Sequence, residues 1–267
     1  MSAELELPVA RLAIEAGRLI MQHYEVGTAS RQKADKSPVT DADEAAEHLI
    51  LAGLATIAPG VPVVSEEAAA AGFIPDVDRV FFLVDPLDGT KEFIARNGEF
   101  TVNIALIDHG VPVLGAVYAP AFARLFSGAT RGAHEWHWPV TDDPAHLALG
   151  RARAIAARPA HATPIGVWSR SHDTYREQEY RNLYDIGGVR IVGSSLKFCL
   201  IAAAEADIYP RHGTTMEWDT AAGQAVLEAA GGSVSDLFGK RLAYGKAGDR
   251  YANPSFVARG RLSAPAG

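Results

Sequence analysis

The stretch Val84-Asp85-Pro86-Leu87-Asp88-Gly89-Thr90 decides how this chain is read. Just upstream, Arg79-Val80-Phe81-Phe82-Leu83-Val84 is a continuous apolar run, expected as a central strand buried on both faces. Just downstream, Thr90 to Arg96 is expected as a short helix. Two aspartates three apart straddle a Pro-Leu kink, so both turn toward one point. Gly89 and Thr90 then offer backbone N–H groups at a helix start, a natural seat for phosphate. Strand ends in layered α/β folds are where ligands bind. Carboxylates and a helix start in one place point to divalent metal ions carrying a phosphate ester. An isolated Asp-x-x-Asp-Gly-Thr also has a plainer reading, with Asp85 a turn residue and Asp88 an N-cap.

Working outward, further acids stand at the ends of expected elements. Glu66-Glu67 ends a short strand, Val61 to Ser65. Asp41 and Asp43 open a helix whose buried stripe is Ala46, Leu49, Ile50, Leu54 and Ile57, stopped by Pro59-Gly60. Asp219 opens a helix expected from Thr220 to Ala230. Each acid alone reads as a cap, a first-turn acid or a solvated end. Together they make a shared site plausible. Mg²⁺ suits such a set, because it is hard, takes oxygen ligands and keeps waters beside carboxylates and phosphate. Without a cation the crowded acids raise one another's pKa values. Haloacid-dehalogenase-type phosphatases place their two acids two residues apart, in Asp-x-Asp-Gly-Thr. The spacing Asp85-x-x-Asp88 removes that geometry and argues against an aspartyl-phosphate route.

The rest of the chain reads as a layered mixture of helices and strands rather than a simple βαβ series. Leu7 to Tyr24 has helical apolar spacing, and Ala29 to Ser37 reads as a mobile polar loop. Phe100 to Ile107, Val111 to Tyr118 and Arg124 to Gly128 are expected as three antiparallel strands. The stretch from His134 to Thr163 is weakly patterned, so a lobe boundary is placed within it. The expectation is a single domain over 1–267 with two lobes, 1–145 and 146–267. The second lobe should alternate. Strands are expected at Ile165–Ser169, Val189–Val192 and Asp207–Tyr209, helices at Asp173–Tyr184 and Leu196–Ala204, and two short strands after Gly231-Gly232.

Composition narrows the function classes. The 267 residues are 48% hydrophobic and 21% charged, which suits a globular domain. The formal charge of −7, without a basic block, argues against a nucleic-acid polymer or an anionic membrane surface as partner. One cysteine excludes an internal disulfide and a cysteine-based zinc site. No signal-peptide pattern and no long apolar run is present, so a cytoplasmic place is expected.

Three ordered segments resemble the lithium-sensitive, magnesium-dependent phosphatases of the inositol monophosphatase superfamily. They are Ser65-Glu66-Glu67, Asp85-Pro86-Leu87-Asp88-Gly89-Thr90 and Glu217-Trp218-Asp219-Thr220-Ala221-Ala222-Gly223. Further segments resemble the 3′(2′),5′-bisphosphate nucleotidase branch. They are the run from Asp85 through Ile107, Ser37-Pro38-Val39-Thr40, Gly193-Ser194-Ser195-Leu196-Lys197-Phe198-Cys199 and Tyr209-Pro210-Arg211. The resemblance implies an α+β fold, a layered α-β-α-β-α sandwich. It implies two or three Mg²⁺ ions held by Glu66, Asp85, Asp88, Asp219 and the Leu87 carbonyl. Thr90 and an early acid of the second helix would orient the attacking water, and alignment favours Asp43 over Asp41. Glu67 would assist catalysis through outer contacts. Gly89 and Thr90 amides would hold the scissile phosphate, and Ser195, Lys197 and Arg211 would grip the nucleotide and its other phosphate. The implied activity is hydrolysis of 3′-phosphoadenosine 5′-phosphate, or of its sulfated form, by metal-activated water. Its partner is a small phosphorylated nucleotide, and the working unit a monomer or homodimer without integral membrane contact. Inhibition by Li⁺ and Ca²⁺ is implied by the family alone. An inositol-phosphate phosphatase of the same superfamily and a non-catalytic phosphoadenosine sensor are the alternatives.

Other signals carry less. His134 and His137 lack a metal-binding pattern and read as structural, and Cys199 reads as core. Trp136 and Trp138 are expected to cover the lobe junction, and His212 to lie near the ligand.

Overall fold

Continuous apolar runs along successive strands build the largest sheet. The computed structural model describes residues 2–27, 29–33, 38–159, 161–170 and 174–261. The chain opens with α1 (Ser2–Val26), β1 (Ser30–Gln32), β2 (Pro38–Thr40), α2 (Asp41–Ile57), β3 (Val63–Ser65) and α3 (Glu66–Ala70). There follow β4 (Val80–Asp88), α4 (Thr90–Ile94), β5 (Thr101–Asp108), β6 (Val111–Ala119), β7 (Arg124–Ala129), β8 (Gly132–His137) and β9 (Arg153–Ile155). Strands β3 to β9 form one seven-stranded sheet in chain order, antiparallel except for the parallel β3–β4 pair. The remainder supplies β10 (Ile165–Trp168), α5 (Thr174–Leu183), β11 (Gly188–Ile191), α6 (Leu196–Ala202) and β12 (Ile208–Arg211). It ends with β13 (Thr215–Met216), α7 (Glu217–Ala229), β14 (Ser233–Asp236), β15 (Ala252–Asn253) and β16 (Phe256–Arg259). A five-stranded sheet runs β11-β10-β12-β16-β14.

Successive side chains of a strand point to opposite faces, and here both faces are buried. Phe82, Val84, Val102, Ile104 and Leu106 pack into the core under α1 and α2. Their neighbours Phe81, Leu83, Ala105 and Ile107 pack into a second core shared with α6, α7 and the inner face of the five-stranded sheet. Trp168, Ile208 and Val257 point the other way, toward Tyr180 of α5. The layers therefore run α-β-α-β-α, as the resemblance implied. Helix α7 lies very close to the large sheet: a Cβ on Gly115 would stand 2.3 Å from the Ala222 carbonyl, so only glycine fits.

Several expectations change. Strand β4 does not stop at Val84 but runs through the aspartates to Asp88. Part of the expected loop is paired, Ser30–Gln32 lying antiparallel to Pro38–Thr40; its residues 34–37 lie outside the described residues. The same holds for Ser37 of the family-like segment and for the expected helix start at Asp173. Strand β9 keeps the chain in the first sheet until Ile155, so the sheets part company later than residue 145. Trp136 and Trp138 belong to the core under α1 rather than to a junction between the sheets. His134 reads as structural here too, with Nδ1 2.9 Å from the buried Glu6 carboxylate, which also accepts a 2.6 Å bond from Ser127 Oγ. Cys199 is buried, and His212 turns to Ser255 Oγ at 3.2 Å. No helix among the described residues is long and apolar enough to cross a membrane.

Candidate active site

The geometry begins with an irregularity in β4. Asp85 pairs with Asn103 of β5, and Asp88 pairs with Thr101, so three steps on one strand face two on the other. Residues three apart on a regular strand point to opposite faces; a bulge absorbs one residue and brings them to the same side. Pro86 sits inside the bulge, where its missing N–H costs no ladder bond. Asp85 Oδ1 accepts the Leu87 N–H at 3.1 Å, which fixes the turn. Gly89 then takes φ of 95°, a left-handed conformation that releases the chain into α4.

Three helix starts aim the other acids at the same place. In α2, Asp43 Oδ2 accepts the Thr40 N–H at 2.8 Å and the Thr40 hydroxyl at 2.6 Å. Its Oδ1 accepts the Thr90 hydroxyl at 3.0 Å, so Asp43 and Thr90 are a bonded pair across 47 residues of chain. Asp41 points outward and pairs with Arg31 at 2.9 Å. In α7, Asp219 Oδ2 accepts the Met216 N–H at 2.8 Å. Capping and site-building thus coexist: one carboxylate oxygen closes a helix end while the other serves the cleft. In α3, Glu66 and Glu67 both reach Lys33 Nζ, at 2.6 and 2.8 Å.

Glu66, Asp85, Leu87, Asp88, Gly89, Thr90 and Asp219 line one cleft. Burial, then the neighbouring Glu66, Asp88 and Asp219, push Asp85 well above the usual carboxylate range. Burial, then Asp88 and Glu66, do the same to Asp219. Burial also raises Asp43, against the hydrogen bonds of Thr40 and Thr90. Glu66 is raised by burial despite Lys33, and Glu67 is pushed up to about 7 by burial, with Lys33 opposing and Glu66 adding. Burial pulls Lys33 down, but the two glutamates outweigh it and hold it above its ordinary value.

Such a crowd of buried acids calls for positive charge. Among the described residues no three acidic side chains close on one point as they stand, with Glu66 and Glu67 turned to Lys33 and Asp88 to Ser195. The donor set still fits a hard divalent ion. It is all oxygen, and Asp85 and Asp219 each commit one oxygen to a backbone N–H and keep the other.

A second cavity adjoins the first and shares Asp88, Gly89, Glu92 and Asp219 with it. Its wall includes Lys197, Arg211, Ser194, Ser169 and Tyr209. Lys197 Nζ donates to the carbonyls of Val192 and Ser194, and lies 5.3 Å from the Tyr209 ring centre. Burial pulls Lys197 down to about 8, against the attraction of Asp88 and with Arg211 adding to the fall. Arg211 Nη1 donates to Ser169 Oγ at 3.2 Å, and its buried Nε has no partner among the described residues.

Ser195 is not in this wall. It is 1% exposed, and its hydroxyl meets Asp88 Oδ2 at 2.8 Å, the Asp219 carbonyl at 2.6 Å and Asn103 Nδ2 at 2.9 Å. The expected grip on the nucleotide is therefore replaced by a brace between two acids. The neighbouring Ser194 lines the cavity instead. Sequence reading missed Lys33, Glu47, Asn103 and Ser169. Their only sequence signal is polarity beside a motif, and their roles depend on partners far along the chain.

Comparison with known proteins gives the family. The inositol monophosphatase family model matches residues 3–264. The chain is 47% identical over 251 residues to the 3′(2′),5′-bisphosphate nucleotidase CysQ of Escherichia coli K12, covering 93% of this chain and 96% of that one. The CysQ crystal structure from Bacteroides thetaiotaomicron, a bacterial member of the inositol monophosphatase family, superposes with a TM-score of 0.81 at 35% identity, covering 98% and 99% of the two chains. An inositol monophosphatase from Zymomonas mobilis shares the fold at 24% identity and a TM-score of 0.74, over 98% and 94%. Enzymes of this family are metal-dependent. With almost its whole length matched, and with Glu66, Asp85, Asp88 and Asp219 from the three segments lining one cleft, the chain belongs to the inositol monophosphatase family, among its CysQ-type 3′(2′),5′-bisphosphate nucleotidases.

Proposed function

We propose that the chain hydrolyses 3′-phosphoadenosine 5′-phosphate, and its sulfated form, releasing inorganic phosphate by attack of water. One observation carries the reading: an acidic cleft and a cation-bearing cavity share the Asp88-Gly89 turn and Asp219. A substrate with two phosphates fits that pair of environments, one phosphate at each. Cytoplasmic nucleotide is the partner this supports.

Glu66, Asp85, Asp88, Asp219 and the Leu87 carbonyl would hold two or three Mg²⁺ ions, which supply charge for the phosphate oxygens and acidify water. The protein's own part is proton handling and placement. Thr90 Oγ1 accepts a proton from the attacking water as its own proton passes to Asp43 Oδ1, the acceptor it already faces. The raised pKa of Asp43 makes it a better base than an exposed carboxylate. A new bond forms from water oxygen to phosphorus, the ester bond to the ribose breaks, the ribose oxygen takes a proton from solvent water to leave as a hydroxyl, and Asp43 returns its proton to solvent. Arg211 and Lys197 take the remaining phosphate, a task suited to a guanidinium fork.

The test is phosphate release with Mg²⁺ from 3′-phosphoadenosine 5′-phosphate, its sulfated form, inositol 1-phosphate and fructose 1,6-bisphosphate. The adenosine bisphosphate should give the highest kcat/KM. A clear preference for inositol 1-phosphate would overturn the nucleotidase reading. Tight nucleotide binding without metal-stimulated turnover would replace the enzyme with a sensor.

A further inference from the structure

Helix α3 is five residues long and carries Glu66 and Glu67 as its first two residues. So short a helix does not hold itself, and its N-cap Ser65 makes no side-chain cap bond. The missing acceptor comes from another helix. Glu47 of α2 is 6% exposed, and its two carboxylate oxygens accept the N–H groups of Glu67 and Ala68, both at 2.9 Å. Both oxygens accept backbone N–H groups, which makes Glu47 a support for the start of α3.

Glu47 lies four residues after Asp43, one turn along the same helix face. Asp43 faces Thr90, and Glu47 faces the start of α3. One rigid helix therefore sets the Asp43–Thr90 pair in register with the Glu66–Glu67 pair. We propose that Glu47 is a positioning residue which, by holding the first turn of α3, presents Glu66 to the bound cation and aligns it with the Asp43–Thr90 pair. This rests on the reading of Glu66 as a metal ligand. A glutamine at 47 is nearly isosteric, but its amide nitrogen would face a backbone N–H, so it accepts only one of the two bonds. An aspartate keeps the charge but falls short of the helix.

The test compares Glu47→Gln and Glu47→Asp with the unmodified chain. Mg²⁺ binding to the metal-free protein is measured by calorimetry, and the Mg²⁺ half-saturation of phosphate release is measured beside it. Both variants should bind Mg²⁺ about tenfold more weakly, in the range known for residues supporting a metal ligand. Excess Mg²⁺ should restore most of kcat, and the KM for nucleotide at saturating Mg²⁺ should not move. Unchanged Mg²⁺ affinity, with only a lower melting temperature, would overturn the inference and leave Glu47 a purely structural cap. Wild-type protein that neither binds Mg²⁺ nor needs it would instead overturn the functional reading beneath it.

Discussion

The acidic and the cationic walls of the cleft are held in opposite ways. On the acidic wall, Asp43, Asp85 and Asp219 each accept a backbone N–H, from Thr40, Leu87 and Met216. On the cationic wall, Lys197 rests on two carbonyls and Arg211 on one hydroxyl, and neither forms an ion pair among the described residues. Neutral dipoles, backbone ones except for the Ser169 hydroxyl at Arg211, hold these side chains without cancelling their charges. The acids are left needing a cation and the cations an anion. A metal ion and a phosphorylated ligand together satisfy both walls, whereas either alone satisfies one. Lys33 shows the same demand within the protein, since its ammonium settles between Glu66 and Glu67.

The comparison breaks most sharply on the acidic side. Asp219→Asn keeps shape but removes one charge from the proposed ligand set, and should lower phosphate release by about 10³-fold. Near-normal turnover, measured as initial rates at saturating Mg²⁺, would show that the acids are structural caps. On the cationic wall the loss should fall on binding. Arg211→Ala should raise KM for the adenosine bisphosphate about 10- to 100-fold, the range of a lost charged hydrogen bond, with a smaller effect on a monophosphate. Equal effects on both substrates would remove Arg211 from the second phosphate.

The same wall carries a pH dependence. Burial pulls Lys197 down to about 8, so it is charged below that pH and neutral above it. The profile of kcat/KM for the bisphosphate should fall as pH rises through about 8, and Lys197→Met should flatten that limb at a lower level. A profile identical in the variant would assign the limb to another group. The smallest effect concerns the brace between Asp88 and Asp219. Asn103→Ala removes the donor to Ser195 and should weaken Mg²⁺ binding about tenfold while leaving nucleotide KM unchanged. A nucleotide effect larger than the metal effect would return Ser195 to the substrate side.

Legibility in the sequence followed the range of the interactions. Asp85 and Asp88 are readable because further acids stand at other element ends and the motif matches a family pattern, and the bulge that aligns them is local. The strands around them are readable because both-face burial leaves long apolar runs. Asp43 was preferred over Asp41 by alignment, and the structure supplies a physical distinction: one residue meets Thr90 and the other Arg31. Ser195 was misplaced because two adjacent serines in a loop look alike, while only backbone direction decides which one turns inward. Glu47 was invisible because its partners lie 20 and 21 residues away, on an element too short to leave a periodic signal.

The sequence by itself determined the inventory: which strands are buried on both faces, which acids stand at element ends, and which family pattern they share. Those properties depend on composition and on spacing within a few residues, so they survive without a fold. Tertiary structure alone decided the assignments: which oxygen caps and which faces the cleft, that Ser195 braces Asp88 against Asp219, and that Lys33 and Glu47 attend Glu66 and Glu67. These depend on distances between segments remote in the chain, and hydrogen bonding is too short-ranged to be specified until packing brings the segments together.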